Sequence, residues 1–153
     1  MKPILFGILA VSVLFADEIS RGAELYKEGK YLEAESELRS FVADHDENAR
    51  ARRFLGLALI EQKKFDEAAD ELKRAAELEP GGESKGAIAR LYAEKKEFDR
   101  AEAELDGASG DDALYARALV QLHHKKFQDS VKSLETYLES DPNHAYAHYY
   151  AGM

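Results

Sequence analysis

The sequence predicts an all-α chain, an α-solenoid of antiparallel helix pairs, and three observations carry that expectation. An aromatic residue returns every 29 to 34 positions, at Tyr31, Phe65, Phe98 and Phe127. Each is followed three residues later by a small residue (Ala34, Ala68, Ala101, Ser130) and then by Leu38, Leu72, Leu105 or Leu134. A fixed period in this range marks a repeat array, in which one supersecondary unit cannot bury its apolar face alone and so stacks on the next. The composition is rich in Ala, Glu, Lys, Leu and Arg with only 3 prolines in 153 residues, which favours helix over strand. Between the aromatic leads, apolar residues recur at helical spacing.

The chain begins differently. Met1-Lys2-Pro3 is followed by an uncharged run from Ile4 to Ala16 and then by Asp17-Glu18. Such a run is shorter than the ~20 residues that span a bilayer. A charged start, a short apolar centre and Ala16 before an acidic residue predict a signal peptide, residues 1–16, cut after Ala16. The mature chain is then periplasmic or secreted in a bacterium, with no stable membrane span. Leu14 stands where cleavage prefers a small residue, so an uncut anchor or a buried first helix is the alternative. Cleavage removes Lys2 and moves the formal charge from −9 to −10. The absence of cysteine excludes a lipid-modified N-terminus, disulfides, thiolate zinc sites and a cysteine nucleophile. The acidic balance argues against general nucleic-acid binding, since no basic excess exists to neutralise phosphates.

In the middle of the chain the helix pair is explicit. Phe54, Leu55, Ala58 and Leu59 form one helical stripe. A second helix is expected to start near Asp66, an N-cap residue type, with the stripe Ala68, Ala69, Leu72, Ala75 and Ala76. Pro80-Gly81-Gly82 ends it. Gly56 and Ala68 fall where the two helices should cross most closely. Further on, Phe98 to Phe127 is only 29 residues, and the missing turn lies around Asp106-Gly107-Ala108-Ser109-Gly110. A shortened second helix and a change of pitch are expected there. The last residues, from Ala145 to Met153, carry Tyr146, Tyr149, Tyr150 and Met153 where a terminal unit should be polar. This open end reads as the beginning of a longer protein; the alternatives are a lone capping helix or self-association that covers the tyrosines.

The set Leu55-Gly56, Leu59, Phe65, Ala68, Leu72, Ala75 and Pro80 resembles the tetratricopeptide repeat, a helix–turn–helix unit of 34 residues. On that resemblance the array covers residues 17–153, with units of about 15–48, 49–81, 82–110 and 111–144 and a partial fifth at 145–153, wound into a right-handed superhelix. The chain departs from the pattern in lacking tryptophan, in placing Asp46 where proline is usual, and in placing Arg21 and Arg117 at apolar positions. Looser packing of the first helices of units one and four is expected from those arginines.

The resemblance implies a binding function. In that family the first helix of each unit lines a concave groove that takes peptides or partner proteins. The matching positions here include Arg50, Arg53, Leu57, Ile60, Glu83, Arg90, Glu94, Asp112, Tyr115, Leu119, Leu122, His123, Tyr146 and Tyr149. The groove is thus expected to be more basic and aromatic than the chain as a whole. An acidic or C-terminal peptide would be clamped by Arg53 and Arg90 and anchored on Tyr115 and Leu119. The bland alternative has the arginines pairing with Glu83, Glu94 or Glu61 of neighbouring helices. The lysine–asparagine clamp by which some members hold chaperone tails is not expected, because Ile19, Ala23, Phe54 and Gly86 stand at the corresponding positions.

Other constellations are weaker. His123-His124, and His144 with His148 one turn on, have spacings that a metal could use, but exposed turn histidines are the simpler reading. Lys63-Lys64, Lys95-Lys96 and Lys125-Lys126 are expected at the hairpin turns, where solvation explains them. No glycine-framed nucleophile, phosphate-binding loop or zinc-protease motif is present. The expectation is a non-enzymatic scaffold with no metal and no cofactor, whose partner is a protein or peptide. The runner-up is a structural or oligomerising segment of a longer envelope protein.

Overall fold

The computed structural model describes residues 21–152, so the leader and its cleavage site lie outside the described residues. All regular structure among these residues is helical. Residues 21–27 (α1) pair with α2 (Tyr31–Asp44), α3 (Ala49–Glu61) with α4 (Phe65–Leu78), α5 (Gly82–Glu94) with α6 (Phe98–Glu104), and α7 (Asp111–His123) with α8 (Phe127–Ser140). A short α9 (Ala145–Ala151) follows. Each second helix packs on the first helix of the next hairpin, and the first helices α3, α5 and α7 lie side by side.

The four hairpin turns share one chemistry. Gly29, Lys63, Lys96 and Lys125 have φ of 75°, 61°, 62° and 60°. In each turn this left-handed residue and the one after it donate back into the last turn of the preceding helix, as Lys63 N–H to Ile60 O and Lys64 N–H to Leu59 O, both 2.9 Å. This is a Schellman cap, which satisfies carbonyls that a helix end leaves unpaired. One lysine of each recurring pair therefore holds a conformation that glycine adopts freely, and α1 uses Gly29 for it. The second helices then start one residue before the expected cap. Lys64 is the N-cap of α4 without a side-chain bond, and Asp66 sits inside the first turn, where its charge favours the helix dipole.

Helix pairs interlock through small residues. A Cβ on Gly56 would lie 2.6 Å from Leu72 Cγ, and one on Gly22 would lie 2.7 Å from Leu38 Cγ. The core is two adjoining clusters, one running from Ala34 to Leu91 and one from Ala89 to Ala147, with α5 contributing to both. Arg117 falls on the exposed outer face, so α7 still buries Ala113, Tyr115, Ala116, Ala118, Leu119 and Val120. The looser packing expected for that helix is not found.

α6 is the shortened second helix, 7 residues against 14 in α2, α4 and α8. Gly107 and Gly110 carry the chain through left-handed positions after it. The loop lies flat on the start of α5, where Ser109 N–H donates to Gly82 O at 2.9 Å. A Cβ on Gly86 would sit 2.7 Å from Ser109 O and 3.0 Å from Ala113 N, so only glycine permits this approach. The lost helical turns are thereby replaced by backbone packed against α5.

Candidate functional site: the inner cleft

The first helices and the shortened hairpin together enclose a cleft of about 360 Å³. Its walls are Tyr26 and Lys27 of α1, Arg53, Phe54 and Leu57 of α3, Glu83 and Arg90 of α5, the stretch Ser109–Asp112, and Tyr137, Ser140 and Asp141 at the end of α8. Four hairpins therefore contribute to one concavity.

Arg90 is its centre and is 1% exposed. Its Nη2 donates to Glu61 Oε1, its Nη1 donates to Asp112 Oδ1 at 2.8 Å, and His144 Nε2 lies 3.2 Å from Nη2. The guanidinium also stacks over the Tyr115 ring, 4.7 Å from its centroid. Tyr115, Tyr137 and His144 pack ring against ring at 5.0 to 5.3 Å. One side chain thus ties α3, α5, α7 and the start of α9 together. Burial alone would raise the Glu61 pKa, but His144 and the Arg90 cation hold it below the ordinary carboxylate value. Burial pushes the phenols of Tyr115 and Tyr137 up, so they remain donors, to Glu94 at 3.2 Å and Asp141 at 3.1 Å. A second line runs parallel to the first: Lys63 Nζ donates to Glu94 at 2.9 Å and lies 5.8 Å from the Tyr146 ring centroid.

The sequence-predicted residues separate into two groups. Arg90, Tyr115, Leu57 and Leu119 are buried, Arg53 is half-buried, and Arg50, Tyr146 and Tyr149 are exposed. Leu57, Arg53 and Arg90 line the cleft. Arg53 is bound by Glu83, so both arginines are engaged by carboxylates of neighbouring hairpins, which was the bland alternative. The cleft carries both signs of charge: Lys27, Arg53 and Arg90 share it with Glu83, Asp111, Asp112 and Asp141. His144 is also not an exposed turn residue. It is buried as the N-cap of α9, accepting Ala147 N–H on Nδ1 at 3.2 Å. His123 instead stacks on Phe98, with 4.1 Å between ring centroids. Among the described residues no group of three or more His, Asp or Glu side chains could hold a metal ion.

Ser109, Tyr137, Ser140 and Asp141 were missed because they come from a loop and a second helix, and Asp111 because it opens α7 one residue ahead of the positions taken to face the groove. The 29-residue spacing was their only signal, since shortening one hairpin draws the loop before α7 into the cleft.

The tetratricopeptide repeat model matches residues 20–83 and 87–145. The chain belongs to the tetratricopeptide-repeat family. No curated protein matches it. Among solved structures, one from the functional characterization of Pseudomonas aeruginosa pilF is 18% identical with a TM-score of 0.64, covering 90% of this chain and 65% of that one. YrrB, described as a tetratricopeptide-repeat protein with an unusual peptide-binding site, is 17% identical with a TM-score of 0.55, covering 88% of this chain and 73% of its own. The MamA RS-1 ArsTM double mutant is 15% identical with a TM-score of 0.56, covering 91% and 80%. At these identities the likeness is one of fold. This repeat array spans about two thirds of the length of the pilF structure.

Proposed function

We propose that the chain is an exported, non-catalytic scaffold that binds a peptide or a segment of a partner protein in its inner cleft. The observation that carries this reading is the cleft itself, in which helices of four hairpins present rigid aromatic and polar walls. A preformed surface lowers the ordering cost of binding, and rings such as Tyr26, Phe54 and Tyr137 give contact area at small entropic cost. A peptide-binding site on a protein of the same fold, YrrB, supports the reading by analogy. Export to the periplasm rests on residues 1–16.

Two measurements test it. Peptide-array binding by the chain should be abolished by Ser140→Arg, which fills the cleft from its rim without touching the core; binding that survives the plug would place the site elsewhere. Expression of the full sequence in a bacterium should yield a periplasmic protein whose N-terminus is Asp17, and retention of Met1 in the cytoplasm would overturn export. A structural or oligomerising role is the second reading. Tyr146 and Tyr149 of α9 are 55% and 62% exposed, aromatic surface that a second copy would cover. Sedimentation at rising concentration should show association that Tyr146→Ser with Tyr149→Ser abolishes.

A further inference from the structure

Resting on that peptide-binding reading, we propose that the cleft selects a basic peptide, taking a lysine or arginine side chain between Asp111 and Asp141. The inference follows from which charges the fold has already used. Arg53 is bound by Glu83, and Arg90 is shared by Glu61 and Asp112. With those pairs formed, Asp111 and Asp141 still line the cleft, and Lys27 is the one remaining cation among the described residues that line it. Among the described residues the Asp141 carboxylate accepts a neutral hydrogen bond from the Tyr137 hydroxyl. A carboxylate entering this space would meet negative charge from several elements, whereas an ammonium or guanidinium would find it complementary.

The aromatic lining fits the same class of ligand. Tyr26, Phe54 and Tyr137 line the same space. Their rings cover the aliphatic stem of a long basic side chain and attract its charged head. The cleft volume suits one or two residues of a chain, not a large ligand.

The test uses the full chain and three fluorescein-labelled peptides in which leucine alternates with lysine, glutamine or glutamate. By fluorescence anisotropy the lysine peptide should bind about tenfold more tightly than the glutamine peptide, with the glutamate peptide weakest. Asp111→Asn with Asp141→Asn should abolish that preference while circular dichroism stays unchanged. Glutamate binding equal to or tighter than lysine overturns the proposal, as does a lysine preference that survives the double substitution. If all three peptides bind alike and Ser140→Arg removes the binding, the peptide site stands and its basic selectivity falls. Failure of every peptide to bind overturns both.

Discussion

Replacing Arg90 by methionine is the sharpest perturbation of the inner cleft. Methionine keeps an unbranched stem over Tyr115 but leaves Glu61, whose side chain is 7% exposed, without its guanidinium. Removing one partner of a buried ion pair costs about 3–5 kcal/mol, because the remaining charge stays desolvated. That is about a fifth or more of the roughly 5–15 kcal/mol that holds a domain folded. Arg90→Met with Glu61→Gln removes both buried charges; Asp112, nearer the rim, then loses its ion-pair partner, at about 1 kcal/mol, and His144 loses the contact with Nη2. The double variant should therefore be less destabilised than the single one, with a coupling of about 2–3 kcal/mol. Urea unfolding followed by circular dichroism measures all three. A single substitution costing under about 1 kcal/mol, or costs that simply add, would refute the claim that Arg90 and Glu61 form one buried unit. The pH dependence gives an independent check. Without Arg90 the Glu61 pKa should rise, with His144 still holding it down against burial, so the deficit should be smallest in acid, where Glu61 is protonated, and grow as pH rises and the carboxylate forms.

Three further outcomes are expected. Glu35 is buried and would be raised by desolvation, but Lys64, Arg39 and Gln62 donate to it at 2.7 to 2.8 Å and hold its pKa at about 2, below the ordinary 4.5. Its stabilisation, at most about 3 kcal/mol, is complete above the unfolded value and disappears as pH falls through the folded one; Glu35→Gln should flatten acid unfolding over that range, measured by fluorescence. Lys96→Gly and Lys125→Gly should each raise stability by about 0.5–1 kcal/mol, since relief of left-handed strain exceeds the entropy cost of glycine; a fall in melting temperature would contradict the turn geometry. Gly86→Ala should cost about 1–3 kcal/mol, because its Cβ meets the backbone of Ser109 and Ala113, and calorimetry showing a neutral change would mean the 106–110 loop is not seated on α5.

The legibility of the sequence followed the physics of each feature. The hairpin pattern was readable because an aromatic lead, a small crossing residue and a leucine must recur wherever helices pack at one distance, as Gly56 against Leu72 and Gly22 against Leu38 do. The short α6 was readable because two glycines and a missing turn are local facts. The cleft was not. Arg53 and Arg90 looked like free cations because single-sequence spacing gives the side of a helix a residue occupies, not how far neighbouring hairpins close over it. His144 looked like a turn histidine for the same reason, though it caps α9 beneath Tyr115 and Tyr137.

By itself, then, the sequence determined the family, the helix pairing and the place where one unit is cut short, because all three depend on residues within about one repeat of each other. Tertiary structure alone decided the character of the inner face. Glu61, Arg90 and Asp112 come from three successive hairpins and His144 from the start of α9, and the partner of a charge across units is set by how those elements stack. That stacking turned the predicted basic clamp into a buried ion-pair network and left an acidic cleft above it.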